Sequence, residues 1–242
     1  MKARIALFRA REDAAGTAAR LRRLGFAVAN LPVIEFAPRP FAPAKTRYDA
    51  VVATSAKAFL SDASVEKASP LFVVGARTAR AAESRGWRLA APPAPDAARL
   101  IEALGRLTAP GASVLYLAGR DRKSALEAAL GATRALEIVE AYAAEAREGW
   151  RRAEIRALAA CGAGLHYSAR SAALAARLAE AAGLSGRFAA MAHVCLSEDV
   201  AEPLRAIGAA RVFVAEAPDE AALLATLSHA ARVFPSDRRY PI

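Results

Sequence analysis

Residues Leu136 to Glu145, LEIVEAYAAE, are the stretch on which the fold turns. Ile138, Val139 and Tyr142 give it the β preference that most of this alanine-rich chain lacks. On either side lie two stretches that resemble one another. The first runs through Asp49 to Leu60 (DAVVATSAKAFL), Leu71 to Arg80 (LFVVGARTAR), Ala94-Pro95-Asp96 and the helical run Ala97 to Leu104. The second runs through Gly164 to Leu174 (GLHYSARSAAL), His193 to Ala201 (HVCLSEDVA), Ala217-Pro218-Asp219 and Glu220 to Leu227. Two similar halves with a strand between them predict two lobes and a cleft, with Tyr142 at its floor.

Outward from that stretch, short apolar runs alternate with helical patterns. Strands are expected at 4–8, 26–31, 50–54, 71–74, 87–90, 113–118, 134–142, 164–167, 192–196 and 211–215. Helices are expected up to Leu24 (apolar at 14, 18, 21 and 24), then from about 56, at 77–85, 96–107, 123–130, 148–159, 171–182, 199–206 and 219–230. Gly25 follows the first helix as a left-handed cap. Regular alternation of this kind predicts an α/β protein with parallel sheets. Arg39-Pro40-Phe41-Ala42-Pro43 breaks the pattern and reads as the first crossing between lobes. The segment from Phe234 to Ile242, with two prolines, is expected to be loose.

Composition narrows the function. The 242 residues can bury a sizeable core. No apolar window approaches the roughly 18 residues of a membrane span, and the charged opening MKARIALFRARED does not read as a secretory signal. A cytoplasmic protein is expected. Cys161 and Cys195 are too few and too unpatterned for a disulfide scaffold or a metal cluster. The 34 Lys and Arg against 24 Asp and Glu leave a net charge of +10, scattered apart from Arg20 to Arg23, Arg147 to Arg156 and Arg238-Arg239. Without a nucleic-acid-binding motif, that charge points to a soluble substrate bearing several carboxylates or phosphates.

Ligands of open parallel sheets sit beyond the carboxyl ends of strands, against helix N-termini. Those turns here are Arg9 to Arg11, Thr54-Ser55, Gly75 to Thr78, Gly119 to Arg122, Ser168 to Ser171 and Ser197 to Asp199. Ser55, Ser168 and Ser197 equally suit plain helix capping, and Tyr142 equally suits packing. His166 and His193 lie in apolar strands and read as core. Gly162-Ala163-Gly164 precedes a strand, so it is no dinucleotide fingerprint, and there is no phosphate-binding loop of the GxxxxGK type. No metal or cofactor is indicated.

Taken in order, several short motifs resemble the uroporphyrinogen-III synthase family. Phe8-Arg9-Ala10-Arg11-Glu12 resembles its RPRE turn, and Leu31-Pro32-Val33-Ile34-Glu35 its leucine-proline element. Thr54-Ser55-Ala56-Lys57-Ala58 is similar to TSxNAV, with Lys57 or Ala56 in place of the asparagine, and Val74-Gly75-Ala76-Arg77-Thr78-Ala79 to VGxxTA. Leu117-Ala118-Gly119-Arg120 resembles the LxGxxxR-type turn, Glu140-Ala141-Tyr142-Ala143 the VYxT-like element, and His166-Tyr167-Ser168-Ala169-Arg170-Ser171-Ala172 the FxSPSA turn. The chain departs from the family at Leu196-Ser197-Glu198-Asp199-Val200-Ala201, where an IGPTTA-like turn is usual.

The resemblance implies two flavodoxin-like domains joined by a two-stranded β linker, with a cleft between them. Residues 1–34 and 146–242 would form a discontinuous domain, 41–137 an inserted one, and 33–40 and 138–145 the linker strands. It implies a cofactor-independent, monomeric lyase that cyclises the linear tetrapyrrole hydroxymethylbilane. Tyr142 would be catalytic. Arg9, Arg11, Ser55, Ala56, Gly75, Thr78, Gly119, Arg120, Ser168, Arg170, Ser171 and Ser197 would bind substrate. Two other readings share the two-lobed plan: a non-catalytic binding protein for a polyanion, which usually carries a secretion signal, and a nucleotide-sugar transferase, which is typically larger.

Overall fold

The computed structural model describes residues 4–61, 64–122 and 124–231. The expected loose tail and the Arg238-Arg239 patch lie outside them. In chain order the elements are β1 (Arg4–Leu7), α1 (Arg11–Arg23), β2 (Ala27–Asn30), β3 (Ile34–Pro38) and β4 (Ala50–Ala53). A 3₁₀ turn (Ala56–Phe59) follows, then β5 (Leu71–Val73), α2 (Ala76–Glu83), α3 (Ala97–Leu107), β6 (Ser113–Gly119), α4 (Ser124–Gly131) and β7 (Ala135–Ala146). The chain continues with α5 (Arg152–Ala159), β8 (Ala163–His166), α6 (Ala169–Ala181), α7 (Ser185–Ala189), β9 (Ala192–Cys195), α8 (Glu198–Ala206), β10 (Arg211–Val214) and α9 (Glu220–Ala230). It divides into two compact units, Met1–Glu35 with Ala146–Ile242, and Phe36–Glu145.

The first unit holds a five-stranded sheet in the order β10-β9-β8-β1-β2, with every pair parallel. Ranked by position in the chain, this is the 2-1-3-4-5 order of flavodoxin-like folds. The second unit holds the order β3-β7-β6-β4-β5, in which β4, β5, β6 and β7 pair in parallel. Those four repeat the 2-1-3-4 part of the same order. The protein is therefore mixed α/β with two largely parallel sheets.

Period-two alternation along buried strands separates the layers. Ile5 and Leu7 pack with Ala14, Ala18 and Leu21 of α1 and Leu223 and Leu227 of α9. Ala6 and Phe8 face the other way, toward Leu158, Ala172, Leu178, Phe188 and Leu204. In the second unit Val51, Ala53, Leu115 and Leu117 meet Phe59, Ala79, Ala82 and Trp87. Ala50, Val52, Val114 and Tyr116 meet Leu100, Leu104, Leu126 and Leu130. Each sheet is thus sandwiched between helical layers. Asp96 and Asp219, which close the two Ala-Pro-Asp triplets, both cap helices, accepting from Arg99 N at 2.9 Å and Ala222 N at 2.8 Å.

Several elements differ from expectation. The helix anticipated from residue 56 is only the 3₁₀ turn Ala56–Phe59. The strand anticipated at 87–90 reduces to one bridge between Leu71 and Leu89. The helix anticipated from 148 begins at Arg152, because Trp150 is buried and donates its indole N–H to Pro32 O at 3.2 Å. Leu24, counted in the apolar stripe of α1, is exposed at the helix C-cap, and Gly25 takes the left-handed turn there with φ 84°. The sequence pattern missed α7, a short helix that buries Phe188. Finally, β7 is a full sheet member, its residues 135–142 laddered to β6.

Both cysteines are free and buried, and burial pushes each thiol up to about 12. Thiolate is the reactive form. Neither Cys161 nor Cys195 is expected to react with an aromatic disulfide reagent in native protein, while both should react in denaturant. Rapid native labelling would contradict that burial.

Candidate functional site

In a doubly wound sheet the binding crevice opens where neighbouring strands lead off to opposite sides, at their carboxyl ends. In the second unit that place lies between β4 and β6. Thr54 and Ser55 follow β4, Gly119 ends β6 and Arg120 follows it. Thr54 Oγ1 and the Tyr116 hydroxyl are hydrogen-bonded at 3.0 Å. Ser55 caps the 3₁₀ turn, accepting from Lys57 N at 3.3 Å, so Ser55 and Ala56 belong to a built turn.

Tyr142 stands beside this place. It pairs in the ladder with Gly119, across a bulge at Ala118/Gly119. Arg120 N donates to Tyr142 O at 2.9 Å. Phe36 meets the tyrosine ring edge-on, with centroids 6.0 Å apart, and the Lys57 ammonium lies 3.7 Å from the Phe36 centroid. Arg122 braces the turn, donating to Gly119 O at 3.1 Å, to Glu140 at 3.2 Å and to Glu127. Arg39 reaches the same Glu140 at 3.4 Å. The Arg120 side chain is itself exposed, 3.9 Å from Asp121.

Gly75 opens α2 on the neighbouring strand β5, with φ 81° and no side-chain cap. Its carbonyl accepts from Thr78 N and Ala79 N at 3.1 Å, and Thr78 is buried. No acid occupies the first turn of α2. An uncapped helix N-terminus without a resident carboxylate suits an incoming carboxylate.

The corresponding place in the first unit lies between β1 and β8. Arg9 follows β1, and its guanidinium lies 4.2 Å from the Tyr167 ring centroid. Arg9 also donates to Thr17 Oγ1 at 3.3 Å and stands 3.7 Å from Glu220. Thr17, Arg20 and Tyr167 all donate to the Glu220 carboxylate, Tyr167 at 3.0 Å. Burial alone would raise the Glu220 pKa, but the hydrogen bonds from Thr17 and Tyr167, with Arg20 and Arg9 nearby, bring it below its ordinary value. Burial also pushes the Tyr167 phenol up to about 12, so it stays a neutral donor.

Ser168 caps α6, accepting from Ser171 N at 3.2 Å and donating to Ser171 Oγ at 2.9 Å. Arg170 is exposed in the first turn of that helix. Ser197 behaves differently: it makes no side-chain cap bond and donates instead to Asp199. Glu198 and Asp199 already place two acids in the first turn of α8. The departure seen in the sequence thus gives a turn that like-charge repulsion makes a poor carboxylate receptor. Arg11 lies at the start of α1, exposed and 3.6 Å from Glu154.

The fold therefore gathers Ser55, Ala56, Gly75, Thr78, Gly119 and Tyr142 at the carboxyl edge of one sheet. It gathers Arg9, Ser168, Arg170, Ser171 and Ser197 at the carboxyl edge of the other. Sequence reasoning did not single out Phe36, Tyr116 or Glu220, and it placed Arg122 and Tyr167 only within candidate turns, without a role. Lys57 carried a local signal, since it or Ala56 stands in place of an expected asparagine.

The sequence model for uroporphyrinogen-III synthase HemD matches residues 15–225. No curated protein matches the sequence significantly. Among solved structures, the uroporphyrinogen-III synthetase of Helicobacter pylori 26695 aligns with a TM-score of 0.57 at 16% identity, over 95% of this chain and 99% of that one. A mutant uroporphyrinogen III synthase from the extremely thermophilic bacterium Thermus thermophilus aligns with a TM-score of 0.47 at 16% identity, over 95% and 99%. The Helicobacter pylori likeness supports the fold, and the sequence match spans most of the chain: it belongs to the uroporphyrinogen-III synthase family.

Proposed function

We propose that the protein is a cytoplasmic, cofactor-independent lyase that cyclises hydroxymethylbilane to uroporphyrinogen III with loss of water and inversion of ring D. Its family membership supports the reading. The observation that carries it is Tyr142, laid against Gly119 beside the β4/β6 carboxyl edge. The hydroxyl on ring A leaves, and an azafulvene cation forms. Ring D attacks through its substituted position, and the spiro intermediate fragments and recloses with that ring inverted.

The unguided molecule cyclises without inversion, so the catalyst has to control shape more than supply a strong nucleophile. The candidate carboxylate-binding groups are the backbone amides at the turns other than Ser197 to Asp199, with Arg9, Arg11 and Arg170 in the first unit and Arg120 in the second. Tyr142 donates a hydrogen bond to the departing hydroxyl. Incubating purified protein with hydroxymethylbilane and resolving the product isomers tests this. Type III product is expected; only the type I isomer, formed at the uncatalysed rate despite binding, would leave a polyanion-binding protein.

A net charge of +10 facing an octa-anion also predicts a salt effect. The Michaelis constant should rise between low and high ionic strength, because screening weakens long-range attraction. A constant that does not move with salt would assign the positive charge some other role.

A further inference from the structure

Gly119 is a glycine for a reason that its backbone does not supply. It is absent from the glycines with positive φ, so its conformation is open to other residues. What excludes a side chain is Tyr142: a Cβ on Gly119 would stand 2.6 Å from Tyr142 Cζ and 2.8 Å from both Cε2 and the hydroxyl oxygen. The phenol ring therefore rests directly on the α-carbon of Gly119. Phe36 forms a second wall, edge-on at 68°. The backbone beneath is fixed by Arg120 N donating to Tyr142 O and by Arg122 donating to Gly119 O.

We infer that Gly119 is a positioning residue for Tyr142, the missing side chain forming the seat that aims the phenol. The inference rests on the reading of Tyr142 as donor to the leaving hydroxyl. It also revises the part expected of Gly119, from substrate contact to support. The obstructed atoms are the far end of a half-buried side chain. An added methyl is therefore relieved by swinging the ring away, and the fold survives.

The test uses protein labelled with ¹³C at tyrosine Cζ. Tyr142→Phe removes one resonance and so assigns it. In Gly119→Ala that resonance is expected to shift while those of Tyr48 and Tyr167 stay in place. Turnover should fall to the level of Tyr142→Phe with the Michaelis constant within about twofold, and the double variant should be no slower than Tyr142→Phe alone. An unmoved resonance, or losses that multiply in the double variant, would overturn the inference. A shifted resonance with full turnover in both single variants would uphold the seat and refute the catalytic reading of Tyr142. If Gly119→Ala does not fold, Phe36→Leu opens the other wall; it should shift the same resonance and lower turnover severalfold, and an unmoved resonance there counts against the inference.

Discussion

Tyr142→Phe is expected to lower turnover about ten- to a hundredfold while leaving the fold intact. The phenylalanine ring keeps nearly all the contact that Tyr142 makes with Phe36 and Gly119. What disappears is one hydrogen-bond donor. If that bond strengthens as the substrate hydroxyl departs, its loss raises the barrier by about 1.4–2.7 kcal/mol, which is ten- to a hundredfold in rate. The turns proposed to hold the carboxylates are untouched, so the residual product should remain the type III isomer. Turnover, melting temperature and isomer ratio measured on one preparation decide the matter. Unchanged turnover would leave Tyr142 as a packing residue. Normal consumption with lost inversion would make it a group that shapes the substrate.

The second large effect is acid destabilisation of the first unit. His166 and His193 are both fully buried, with His166 Nε2 and His193 Nδ1 3.0 Å apart and His193 Nε2 2.9 Å from Phe188 O. One tautomer set satisfies these contacts with both rings neutral: His193 Nε2–H donates to Phe188 O, and His166 Nε2–H donates to His193 Nδ1. Among the described residues His166 Nδ1 has no hydrogen-bond partner, and the His166 ring stacks on Phe8 at 5.0 Å between centroids. Burial lowers His193 to about 4 and, with His193 beside it, lowers His166 well below its ordinary value.

The sign follows from linkage. Below the unfolded value of about 6.5, the unfolded chain takes up protons that the folded pair refuses, so stability falls as pH falls. His193 alone accounts for about 3 kcal/mol lost between pH 6.5 and 4, with His166 acting in the same direction. Glu154 and Glu220, both lowered in the folded state, add to the loss below about 4.5, as their carboxylates protonate. Urea unfolding from pH 7.5 to pH 4.5 should show stability declining below 6.5, with a shallower decline in His193→Gln. A flat profile between pH 7 and 5 would mean that the pair does not stay neutral.

The periodic elements were legible in the sequence because their causes are local. Runs such as Ala50–Ala53 and Arg4–Leu7 are too short and too apolar for anything but buried strands, and the aspartates at 96 and 219 announce helix starts by their own side-chain bonds. The candidate turns were legible for the same reason: they follow strands and precede helices. Even the altered turn at Ser197 to Asp199 could be suspected, since two acids in a first helical turn need no tertiary context to repel a carboxylate.

What no local pattern could show is what crosses the chain. Glu220 lies about two hundred residues from Thr17 and Arg20 yet accepts hydrogen bonds from both, and only the packing of α9 beside α1 brings them together. The shortening of the expected helix at 148 depends on Trp150 reaching Pro32, a contact between segments 118 residues apart. The role of Gly119 is visible only when the bulged ladder lays the Tyr142 ring over it. Propensity and periodicity act over a few residues, whereas these arrangements are set by sheet register and side-chain volume. The sequence therefore determined which segments become strands, helices and turns, and the tertiary structure decided which side chains meet at the carboxyl edges.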